Sequence, residues 1–235
     1  MSAKVLFKKT ITGGALAMGM VFLAAVPLIN VEAAPQPING VFIDWSTNTY
    51  APAGFYGKLL PTSGSEVSAW VVIFVNGKPV SPSAYSIRWY IDDQLFQSGK
   101  GLNTITFKAP KATSIIKNLQ ARVQSPSGNL SVANIQVPII NPMVAIKSNY
   151  PGGVFTESQA KVSAIPYFFN ISDPSSLSFQ WSANGVTAEN SENPDTAIIG
   201  LGENPQPGTT IRVQLTVTNS GDSTVATAYS NLVYK

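Results

Sequence analysis

The chain has no cysteine and no histidine in 235 residues, and only 11% of its residues are charged. Without cysteine no disulfide can staple the fold, so its stability has to come from burial alone. Without histidine the commonest general base and the commonest metal ligand are both missing, which argues against zinc, copper or haem chemistry. Sustained helical periodicity is also missing after the first thirty-odd residues. What is plentiful is the punctuation of β-structure: 18 glycines and 17 prolines separate short apolar runs.

The excess hydrophobicity lies at the N-terminus. Lys4, Lys8 and Lys9 precede an uncharged stretch from Thr10 to Val31, and small residues follow. A basic region, an apolar region and small residues make the layout of a secretory signal, with Val31 and Ala33 placed for cleavage before Ala34. An uncleaved membrane anchor is the competing reading, because about 20 apolar residues span a bilayer. Gly13, Gly14, Gly19 and Pro27 weaken a permanent membrane helix. Either way residues 1–33 form an N-terminal hydrophobic signal or anchor helix, and the rest is expected outside the cytoplasm.

The overall formal charge of +3 hides an asymmetry. Residues 36–140 carry eight basic side chains against Asp44, Glu66, Asp92 and Asp93, a net +4. Residues 141–235 carry Lys147, Lys161, Arg212 and Lys235 against seven carboxylates, a net −3.

Ile211, Val213, Leu215 and Val217 alternate with polar residues, as do Ile135, Val137 and Ile139, the pattern of half-buried strands. A weak internal repeat aligns Trp89 with Trp181, 92 residues on, so that Ile87-Arg88-Trp89 meets Phe179-Gln180-Trp181. Upstream, Trp70 falls on Val162. Downstream, the Asp92-Asp93 turn falls on Asn184-Gly185, and Ala121-Arg122-Val123 falls within the later run 212–218. Two units of about 100 residues, each with a tryptophan on a central strand, predict two tandem immunoglobulin-like β-sandwiches at 36–139 and 140–235, in an all-β chain. Pro138 to Pro142 mark the junction, and a short proline-bounded linker predicts a semi-rigid connection.

Ser-Ile-Arg-Trp-Tyr-Ile-Asp-Asp, Gln-Ser-Gly-Lys-Gly and Thr-Ile-Thr-Phe-Lys-Ala-Pro, with Ser-Phe-Gln-Trp-Ser-Ala-Asn-Gly in the second unit, resemble the bacterial Ig-like and PKD-like repeats of surface proteins. The resemblance covers most of residues 36–235. It implies spacers, adhesive modules or parts of surface assemblies, and no particular activity.

Trp89 and Trp181 read as core residues. Trp45, Tyr50, Phe55 and Tyr56 cluster ahead of the first unit's main strands, where aromatic groups either stack on a sugar or partner or close the domain's own end. Lys100, Lys108, Lys111, Lys117 and Arg122 form a basic stretch suited to an anionic partner, although strand alternation also scatters such residues over different faces. No cofactor is expected. Glu189, Glu192 and Asp195 form the one oxygen-rich loop considered for calcium, with a spacing that matches no defined calcium loop.

Asp92-Asp93 reads as a solvated turn rather than a glycosidase pair. Ser114–Lys117 and Ser158–Lys161 match Ser-x-x-Lys without its companion motifs, and Asn129 and Asn170 begin glycosylation sequons. The leading expectation is therefore a non-catalytic extracellular module for binding, adhesion or spacing. Its expected partners are other surface proteins, its own copies through charge or strand exchange, or an anionic envelope polymer, with membrane contact through the N-terminal segment and no sequence-specific nucleic acid. An accessory carbohydrate-binding protein is the alternative, and a hydrolase has the weakest support.

Overall fold

The computed structural model describes residues 38–188, 193–202 and 205–235. The signal or anchor at 1–33 and the candidate calcium residues Glu189 and Glu192 lie outside the described residues. Two separate hydrophobic cores organise the rest, one drawn from Trp45 to Ile139 and the other from Phe155 to Leu232.

The first sandwich is built from β1 (Gly40–Thr47), β2 (Glu66–Val75), β3 (Lys78–Val80), β4 (Ser86–Ile91), β5 (Gln94–Lys100), β6 (Thr104–Lys108), β7 (Ile115–Gln124) and β8 (Leu130–Ile139). β2 pairs with β1 along one edge, while β3 and β6 share its other edge. The facing sheet runs β5-β4-β7-β8. The second sandwich uses β9 (Met143–Ser148), β10 (Val154–Phe155), β11 (Gln159–Tyr167), β12 (Leu177–Ala183), β13 (Val186–Thr187), β14 (Thr196–Gly200), β15 (Thr210–Asn219) and β16 (Thr224–Tyr234). Its sheets run β14-β11-β9 and β10-β16-β15-β12-β13, antiparallel except where β10 meets β16. A sheet centred on the second main strand, packed over a sheet that joins the central tryptophan strand to the last two, is the immunoglobulin-like arrangement, present here twice.

Alternation explains the layers. Val67, Ala69, Val71 and Ile73 of β2 point inward and are buried, as are Leu119, Ala121 and Val123 of β7 and Ile211, Val213, Leu215 and Val217 of β15. Full burial of each such Val, Leu or Ile side chain contributes roughly 1.5–3 kcal/mol. Trp89 is 0% exposed and Trp181 6%. Their indole nitrogens donate to the carbonyl oxygens of Leu102 (2.9 Å) and Pro194 (3.0 Å), each 13 residues downstream.

The 92-residue offset holds at several further points. Pro82–Ala84 and Pro174–Ser176 are matching 3-10 turns, capped by Ser81 and Asp173. Asp92-Asp93 and Asn184-Gly185 are two-residue hairpin turns with positive φ throughout, the mirror-image type that suits Asn, Asp and Gly. Each first turn residue is clamped alike. Asp92 donates its N–H to the Asn118 carbonyl and accepts the Asn118 N–H at its carboxylate (3.0 Å), as Asn184 does with Arg212 (2.8 Å).

Upstream the alignment needs correction. Trp70 lies on the outer face of β2 while Val162 is buried, so Ala69 rather than Trp70 is the counterpart of Val162. In a strand a one-residue slip exchanges the two faces.

Burial pushes the Asp92 carboxyl up, but the hydrogen bond from Lys117, the Asn118 N–H and the Lys117 charge outweigh it and hold it below the ordinary 3.8. A carboxyl depressed in the folded state adds stability at neutral pH. That contribution is lost as pH falls below about 4 and through the folded value. Asp92→Asn keeps the turn, since Asn184 fills the same role in the second sandwich. It is expected to flatten the acid limb of a urea-midpoint-versus-pH curve below pH about 4, and an unchanged acid limb would contradict the linkage.

Candidate binding surfaces

The aromatic cluster does not form a platform. Trp45 is 4% exposed, directly opposite Ala69 on the inward side of β1, with the Lys58 ammonium 4.1 Å above its ring centroid. It belongs to the core, so of the two readings of this cluster Trp45 follows the one in which an aromatic group packs within its own domain. Lys58 also bonds Asp44 at 2.6 Å, and that hydrogen bond is the main cause holding the Asp44 carboxyl below its ordinary value.

Tyr50 and Phe55 turn toward the second sandwich. The Tyr50 N–H donates to the Phe169 carbonyl (2.8 Å), and the Phe168 N–H donates to the Tyr50 carbonyl (2.6 Å). The Phe55 ring meets the edges of Tyr167 and Phe168 at 5.9 and 5.6 Å between centroids. Nearby, Ile140 donates to the Pro61 carbonyl and bridges Thr62, which ties the junction back to the first sandwich. Of the four aromatic residues Tyr56 alone is fully exposed, so a sugar-stacking platform from this cluster reduces to one ring.

The basic stretch is divided among surfaces. Lys108 points outward from β6 on the other sheet, and Lys111 lies in the following loop. Lys117 is spent on Asp92 at 2.5 Å. Lys100 and Arg122 share the outer face of the β5-β4-β7-β8 sheet, where they meet a residue that the run of lysines did not point to, Arg88. Register places Arg88 directly across from Arg122, and Arg122 across from Val132. The adjoining row is Lys100, Ser86, Gln124 and Leu130.

Arg122 is fixed in place, its guanidinium 4.4 Å over the Tyr90 ring and its Nε donating to Gln120 Oε1. Beside it Gln120 donates to Asn134 (2.9 Å) and Gln136 to Asn118 (3.4 Å). None of the outward positions on these four strands carries a carboxylate. The face can hold an anion by forked guanidinium contacts and neutral hydrogen-bonding groups by the amides.

A cleft of about 870 Å³ lies at the β12 edge of the second sandwich, with Lys161, Gln180, Trp181, Thr196 and Thr218 in its wall. Lys161 is its one charged lining group among the described residues. Asp195, the described member of the calcium loop, accepts at its carboxylate from the Thr196 hydroxyl (3.2 Å).

No protein-family model and no curated protein matches the chain. Among solved structures it is similar to the fibronectin(III)-like modules of Clostridium thermocellum CbhA, at 15% identity over 80% of this chain and 94% of that one, with a TM-score of 0.30. It is similar also to three N-terminal domains of the highly immunogenic outer capsid protein of bacteriophage RB49, at 14% identity over 84% and 59%, with a TM-score of 0.43. A bacterial ice-binding adhesin matches at 12% identity over 86% and 65%, with a TM-score of 0.31. The assignment of the fold stands on the strand order and the two cores.

Phe55→Ala removes the rings' edge contacts, a loss of about 1 kcal/mol. The Tyr50 and Phe168 amides are expected to exchange faster with deuterium while Ile87 and Leu215 keep their protection. A uniform acceleration over both cores would show instead that Phe55 supports global stability.

Proposed function

We propose that this chain is a non-catalytic binding and structural module that works outside the cytoplasm and holds an anionic envelope partner on the outer β5-β4-β7-β8 face of its first sandwich. The observation that carries this reading is the Arg88–Arg122 pair. Two like charges directly opposite each other in an antiparallel ladder cost stability, and here no carboxylate on the same face relieves them. An external anion would relieve them. Arg122, held over Tyr90 and bonded to Gln120, loses little freedom when an anion arrives.

The basic and apolar layout from Lys4 to Ala33 supports export, and the lack of cysteine suits a fold independent of redox compartment. The tie between the sandwiches through Tyr50, Phe168 and Phe169 supports a structural part in the same role.

Arg88→Gln separates stability from binding. Removing one of two like charges opposite each other in the ladder is expected to raise folding stability by a few tenths to about 1 kcal/mol. It is also expected to weaken binding to dextran sulfate, with a shallower dependence on salt, measured by titration between low and physiological ionic strength. Equal binding by the variant and the parent at low salt would sink the proposed face.

A further inference from the structure

β1 and β8 pack side by side and begin at the same end of the first sandwich, the end at which β2 and β7 finish. Three large apolar side chains stand in solvent within the first three residues of those strands: Phe42 and Leu130, each 62% exposed, and Val132, 47% exposed. Val132 continues the Arg88–Arg122 row, and Leu130 ends the row that begins at Lys100. Leu130 and Val132 are therefore interleaved with the cations at one end of the β5-β4-β7-β8 sheet, while Phe42 stands at the same end on the outer side of the facing sheet, so that docking of that end, rather than of one face, brings the apolar and cationic groups to a common surface.

The carboxylates of this sandwich do not oppose them. Asp44 is bonded to Lys58. Glu66 begins β2, and Asp92 and Asp93 form the β4–β5 turn, both at the opposite end. The described chain starts at Ile38, two residues before β1. In the sequence the uncharged stretch from Thr10 ends at Val31, nine residues before Gly40. Nine extended residues reach about 30 Å at most.

We propose that this end of the first sandwich docks on the surface of an anionic bilayer. Phe42, Leu130 and Val132 enter the boundary between headgroups and acyl chains, and Arg88, Lys100 and Arg122 pair with the headgroup anions. The proposal rests on the reading of the basic face given above and names its partner. A soluble polyanion would engage the cations and leave the three apolar groups in water. A bilayer surface satisfies both, since interfacial binding joins buried apolar area to attraction for anionic lipid.

The lack of cysteine makes the test direct. Phe42→Cys, Leu130→Cys and, as a control on the second sandwich, Val186→Cys (Val186 is 73% exposed) each take one environment-sensitive fluorophore on the full chain. On vesicles of phosphatidylglycerol and phosphatidylcholine the labels at 42 and 130 are expected to shift to the blue, while the label at 186 stays unchanged. Pure phosphatidylcholine is expected to give no shift.

With each basic residue near an anionic surface contributing about fivefold, Arg88→Gln, Lys100→Gln and Arg122→Gln together are expected to weaken vesicle binding through this face about 100-fold. They should abolish the shift even where the N-terminal segment keeps the chain on the vesicle. Labels at 42 and 130 that stay in water on vesicles, while dextran sulfate still binds through Arg88, would overturn the bilayer as partner and leave the anionic reading standing. Failure to bind either vesicles or dextran sulfate would overturn both.

Discussion

A buried indole N–H has to find an acceptor, because an unpaired polar group in a core costs about 1–3 kcal/mol. In both sandwiches it finds one 13 residues downstream, at Leu102 and at Pro194. Those acceptors lie just ahead of β6 and β14, strands of the opposite sheet, so each tryptophan ties the central strand of one sheet to the segment that enters the other. In antibody domains a disulfide joins the sheets beside this tryptophan. Here Ala121 lies directly opposite Trp89, and fully buried Ala69 belongs to the facing sheet. Small residues and one directed hydrogen bond accompany the indole in place of a covalent link.

The two sandwiches meet through a second constraint of the same kind. Phe168 is 4% exposed and has φ of 61°, a conformation that costs a bulky residue energy. It is kept because its N–H is held by the Tyr50 carbonyl while its ring packs on Phe55. The strained residue and its restraint belong to different sandwiches, so the geometry of one depends on the presence of the other. A loop rich in aromatic residues ahead of β2 therefore serves the contact between domains, and Tyr56, pointing away, is left without that role.

The alternating strands, the two tryptophans and the hairpin turns were legible because each depends on local chemistry: period-two burial, one large ring, and residues that tolerate positive φ. The paired Ser-Pro and Asp-Pro turns before β4 and β12 stand at the same 92-residue offset and could have been read as well. Side-chain destinations set by tertiary pairing were harder to read. A slip of one residue put Trp70 on the wrong face, and nothing local to Tyr50 or Phe55 names Phe168 as their neighbour.

The basic face was hidden for a related reason: Arg88 and Arg122 are 34 positions apart and meet only through the register of β4 with β7. A bulge between Trp89 and Tyr90 further shifts which β5 residues share their side.

Net charge describes this molecule poorly, because its charges cancel in sum and not in place. Lys58 and Lys117, two of the eight cations of the first sandwich, are neutralised by Asp44 and Asp92 at contact distance. The Asn118 position, where Asp92 is bound, lies four residues along β7 from Arg122, about 13 Å of strand. At physiological ionic strength the Debye length is about 8 Å, so even an unpaired carboxylate there would act only weakly on the arginines. What an approaching partner meets on the outer β5-β4-β7-β8 face is therefore set by Arg88, Lys100 and Arg122 and by the apolar side chains in their rows, and not by the net charge of the chain.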